Sequence, residues 1–290
     1  MSFVIPLNRS NLVQNGYNNT YEFQFRGSAA NFTNTEIAIH SISMYNSVYN
    51  IDSQSYGNNT LIIKMPTTST TSTINITIPD GLYSYENLSK FIQTQLVVAG
   101  AYLINADGSH VHYIQLSSNA TYYACQVDCS PVPITLPAGW TRPATGLYST
   151  GGSGLPTTTR VPILSLTNAA MGSVLGFSIA DYPASSQTAL QTFLSNITPQ
   201  IHPISSYVVR CNLVRNQFTV PSDILGTFDK QGTQAGDLIS YRPNEHLWLP
   251  VSDGSYSNIR VTIVDQNERF CKIRDSDINI LLVIKQSEKK

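Results

Sequence analysis

Charge is what this chain has least of. Asp, Glu, Lys and Arg supply 12% of its 290 residues, about half the usual share of roughly 25%. The 17 basic and 18 acidic side chains nearly cancel, for a net charge of −1. Strong nucleic-acid binding needs clustered Lys and Arg to displace counterions, so no direct nucleic-acid contact is expected. Cysteine is scarce too: four residues are too few for a disulfide scaffold. No apolar run approaches the ~20 residues of a membrane-crossing helix. The opening Met1-Ser2-Phe3-Val4-Ile5-Pro6 lacks both a basic segment and a long apolar core, so a secretory signal is not expected.

The polar quota is met by Asn, Ser, Thr, Gln and 16 tyrosines, a composition of strands and turns. Period-two alternation, the mark of a half-buried strand, appears at Tyr21, Phe23 and Phe25, then at Ile37, Ile39 and Ile42. It recurs at 61–65, at Tyr207, Val209, Cys211 and Leu213, and at Ile259, Val261 and Ile263. Ile280, Leu282 and Ile284 repeat it, but Leu281 and Val283 make both faces apolar, so this last strand is expected to be covered on both sides. Residues 1–20 read as an N-terminal arm, and Pro221-Ser222-Asp223-Ile224-Leu225 as one helical turn. The convincing helix runs from about Ser84 to Val98, with Ser84 as N-cap, Glu86 in the first turn and Gly100 as the stop. Asn168 to Phe177 reads as a short helix ended by Gly176. The prolines and the run Gly151-Gly152-Ser153-Gly154 make 128–160 a long, exposed, irregular loop. Together these predict a mainly β chain: one eight-stranded antiparallel jelly roll from 1–66 and 205–290, interrupted by a small α+β subdomain at 67–204.

Residues able to carry chemistry are few. Cys125 and Cys129, spaced C-x3-C, could pair or bind metal, but no second Cys/His pair stands at zinc-finger spacing. His110 and His112 share one strand face without a third ligand nearby. Asp265, Asp275 and Asp277 fall at turns, where Asp caps backbone N–H groups. Trp248, between His246 and Pro250, reads as an interface anchor or a ligand-stacking platform. No nucleophile elbow, phosphate loop or paired carboxylate is present, so neither enzyme activity nor a cofactor is expected.

Six segments, taken in order, resemble the penton (minor capsid) proteins of virophages and polinton-like viruses. They are ISMYNSVYNID at 42–52, INITIPDGLYSYENLSKFIQTQL at 74–96, VLGF at 174–177, TPQIHPISSYVVRCNLV at 198–214, PSDIL at 221–225 and PNEHLWLPVSDGSYSNIRVTIVDQN at 243–267. The resemblance implies a single jelly roll with an inserted domain. It also implies a virion protein forming homopentamers at the fivefold vertices of an icosahedral shell, beside a major capsid protein of double jelly-roll type. The inserted subdomain would face outward, where a host surface receptor could meet it. The alternative is a receptor- or glycan-binding β-domain, a fibre or lectin-like module.

Overall fold

Alternating segments from the two ends of the chain pair with each other. In the computed structural model, which describes residues 2–27, 29–68, 70–234 and 236–286, the chain divides into two compact units. One is Met1–Tyr49 with Ile204–Lys290, the other Asn50–Pro203.

The first unit is built on eight strands: β1 Ser2–Leu7, β2 Thr20–Gln24, β3 Thr35–Tyr45, β4 Tyr207–Cys211, β5 Ile224–Phe228, β6 Leu238–Tyr241, β7 Asn258–Asp265 and β8 Asn279–Gln286. They form two antiparallel sheets, ordered β1-β8-β3-β6 and β5-β4-β7-β2, with a short strand Leu249–Pro250 also pairing with β3. This strand order is that of a jelly roll. Alternation sends Ile37, Ile39, Ile42 and Met44 of β3 and Ile280, Leu282 and Ile284 of β8 into one core. Tyr207, Val209 and Cys211 of β4 and Ile259, Val261 and Ile263 of β7 fill it from the other sheet. Each such side chain contributes roughly 1.5–3 kcal/mol of burial free energy. The second apolar row of β8 is covered in part: Val283 is buried and Leu281 half-buried.

Three expectations are corrected here. Residues 2–7 are no arm; they pair with β8 along their whole length, Ser2 opposite Lys285 and Leu7 opposite Ile280. Pro6 is tolerated because β1 lies at the sheet edge. Residues 224–228 form β5, so 221–225 is not a helical turn, and Asp223 pairs with Arg210. The strand at 61–65 belongs to the other unit, where Thr60–Pro66 pairs with Thr71–Thr77 and Ile163–Ser165. The first boundary therefore falls after Tyr49, not after 66.

The inserted unit holds that four-stranded sheet, completed by Asp181–Tyr182, and a second sheet of Ile114–Asn119, Ala124–Cys129 and Gln191–Leu194. Helix α1, Tyr85–Val98, starts at Ser84, whose hydroxyl accepts from Asn87 N–H, and buries Leu88, Ile92 and Leu96. The buried Ser89 hydroxyl accepts from Leu116 N–H at 3.0 Å, pinning helix to sheet. Helix α2, Ala169–Leu175, ends at Gly176 with φ +76°, a left-handed cap that glycine adopts at little cost. The hairpin of Ile114–Asn119 and Ala124–Cys129 turns at 120–123. Residues 128–160, expected as an exposed loop, contain buried side chains: Tyr148 is fully buried and donates to Pro66 O at 2.9 Å, and Val132 belongs to the same core.

Candidate functional site

At the end of the roll where β3 begins and β4 finishes, three connections meet: 25–34, 212–223 and 242–257. Backbone bonds lace them together. Val214 bridges Val251, Val251 N–H donates to Thr35 O at 2.8 Å, and Gly254 pairs with Phe32. Asp253 accepts from Asn34 N–H at 3.0 Å, a bond between two of these connections rather than within its own Asp-Gly turn. A run of edge-on aromatic rings, Phe23, Phe25, Phe32 and Tyr256, packs along this end with centroids 5.5–5.9 Å apart.

The β4–β5 connection is drawn to a narrow tip. Asn216 N–H donates to Ser222 O at 2.6 Å, and Thr219 turns its hydroxyl back to Pro221 O at 2.9 Å. Phe218 and Val220, on either side of Thr219, are left 97% and 93% exposed. Beside the tip lies a recess of about 280 Å³ whose lining mixes the polar Asn216, Thr219 and Thr227 with Ile39, Ile224, Tyr241, Pro243 and Leu247, the last 63% exposed. Single exposed apolar side chains are ordinary, but two at nearly full exposure on one tip are not. The sequence reading missed this tip. Its signal is the apolar pair in Asn216-Gln217-Phe218-Thr219-Val220-Pro221, alternation inside a turn where no core can take it.

The predicted site residues lie elsewhere or are already occupied. Trp248 is half-buried. The Lys285 ammonium sits 4.1 Å above its ring centroid and His246 packs edge-on at 5.4 Å. Lys285 also pairs with Glu36 at 3.1 Å. Cys125 and Cys129 are free thiols on one strand. Four residues of extended chain separate them by about 13 Å, beyond the ~7 Å Cα spacing a disulfide allows. That overturns the suggested disulfide.

Burial pushes both thiols up to about 12, and Cys211 likewise. No cysteine should then react quickly with a thiol reagent at about pH 8, whereas all four should react after unfolding. A fast native thiol would contradict this. The buried thiols stay neutral while unfolded ones ionise above about pH 8.5, so stability should fall as pH rises from there toward 12.

His110 and His112 do lie together, ring centroids 6.3 Å apart, with the Tyr102 ring tilted against His110 at 4.4 Å. Burial, then the charge of His110, holds the His112 imidazole below its ordinary value. Among the described residues no group of three or more His, Cys, Asp or Glu side chains could hold a metal ion. Asp265 is buried and accepts from Asn267 and Arg269 N–H groups at 2.8 and 2.9 Å; Asp275 accepts from Asp277 N–H at 2.8 Å. Both act as turn caps.

No family model and no curated protein matches the chain. Among solved structures it is similar to the mavirus penton protein, at 11% identity and a TM-score of 0.46, with 98% of each chain covered. It is similar as well to a chain of the Sputnik virophage structure, at 12% identity and a TM-score of 0.44, again over 98% of each chain.

Proposed function

We propose that this protein is a structural subunit of an icosahedral virus shell. Five copies close into a ring at each fivefold vertex, where a major capsid protein of double jelly-roll type surrounds them. The observation that carries this reading is the apolar tip of the roll. Phe218 and Val220 gain nothing by facing water, and the recess beside Leu247 offers a mixed polar and apolar surface for a neighbouring copy. A protrusion and a recess on one unit are the ingredients of a heterologous contact, the kind that closes into a ring when the rotation is right. The low charge of the chain makes its surface cheap to dehydrate, as an interface requires. The motif resemblance from 42 to 267 supplies the number five and the vertex location. Display of the inserted unit toward a host surface receptor belongs to the same reading.

Replacing both apolar residues, Phe218→Ser with Val220→Ser, tests the contact. Self-association should weaken about 100-fold or more, as for loss of a central anchor. Folding stability should move by less than about 0.5 kcal/mol, since neither side chain is packed in the subunit. Unchanged association would remove the tip from the interface. The alternative, a glycan platform at Trp248, is disfavoured because Lys285 already covers a ring face.

A further inference from the structure

We propose that His40 and His246 form a pH-sensitive latch that holds residues 242–248 against the β3–β8 sheet. The inference does not rest on the assembly reading, although Pro243 and Leu247 of the recess lie on this segment. β3 carries a bulge at this point: Leu281 lies opposite Ser41 and Leu282 opposite Ile39, so His40 is the extra residue. A bulge re-aims its side chain out of the alternation. On the other flank of β3, pairing with β6 ends at Tyr241 opposite Ile42 and resumes at Leu249 opposite Ile37. Residues 242–248 therefore run unpaired past the bulge. His40 Nδ1 and His246 Nε2 meet across that gap at 3.0 Å, with ring centroids 5.2 Å apart.

One of the two nitrogens must donate and the other must accept through its lone pair. A proton on each removes the acceptor and sets two cations in contact. The charged groups on the elements packed here do not offset that. Glu36 on β3 is paired with Lys285 on β8, the Lys285 ammonium already occupies the face of Trp248, and Arg242 and Glu245 on the segment itself are exposed. The segment is thus closed while at least one ring is neutral, and it is released when both rings carry a proton.

Trp248 reports the state directly. In a Trp140→Phe background it is the one remaining tryptophan. Its quenching by acrylamide is expected to rise about threefold or more between roughly pH 8 and pH 5, with an unchanged far-ultraviolet dichroism spectrum. His246→Phe keeps a ring beside Trp248 but cannot be charged. His40→Gln keeps a side chain that both donates and accepts. Each should abolish the rise. Equal quenching at both pH values in the parent, or a rise that persists in either folded variant, would overturn the latch.

Discussion

Gly100→Ala should cost the inserted unit roughly 3–5 kcal/mol, the upper end of what a single methyl group does. Gly100 follows α1 with φ +65°, where an L-residue is strained by about 1 kcal/mol. The larger part is packing. An added Cβ would sit 2.3 Å from Thr145 O and 2.6 Å from the Cα of Gly146. Both neighbours are backbone, and neither can turn aside. They are also fixed from the other side: Leu147 N–H donates to Ala99 O and Tyr148 N–H to Gly100 O, each at 2.9 Å. Moving that segment would drag the buried Tyr148 from its bond to Pro66 O. Gly108→Ala is the matched control. Its φ is +88° but no atom lies within 4 Å of the added methyl, so only the strain of about 1 kcal/mol should appear. Thermal unfolding of the two variants checks both values, and equal losses would contradict the close-contact explanation.

Asp265→Ala should destabilise the roll by about 3 kcal/mol, because it removes three charge-assisted bonds at a buried site. The carboxylate is 1% exposed at the end of β7, where it accepts from the N–H groups of Asn267 and Arg269 and from Arg269 Nε at 2.8 Å. These bonds set the turn that returns the chain toward β8, so their loss leaves two inward N–H groups without an acceptor. Asp265→Asn keeps an acceptor oxygen and should recover about half of the loss. Denaturant unfolding of the three proteins is the check. An alanine variant as stable as the parent would show the cap to be unimportant.

The turn role of Asp265 was legible in the sequence, and the reasons separate what could be read from what could not. Local signals read well. Ser84 announces α1 and Gly176 ends α2 through bonds and dihedral angles confined to a few residues. Period two placed β2, β3, β4, β7 and β8, because one buried face imposes it whatever the partner. What failed was the choice of partner. The alternation in 61–65 is the same for either core, and only tertiary pairing assigns it to the insert. β1 carries Pro6, which reads as a strand breaker until its edge position is known. Residues 221–225 read as a helical turn because the pairing of Asp223 with Arg210 lies outside that segment. Tyr148 sits among glycines and prolines that suggest exposure, yet 82 residues back along the chain it finds its acceptor. The His40–His246 contact spans 206 residues and leaves no local trace at all.

The assembly itself is tested most directly by the mass of the purified protein in solution, measured by light scattering over a wide concentration range with negative-stain images of the same samples. Five copies of the 31.9 kDa chain, closed into rings that disperse when Phe218 and Val220 are made polar, are expected. A single-chain mass at every concentration, with no rings in the images, would contradict the vertex assembly.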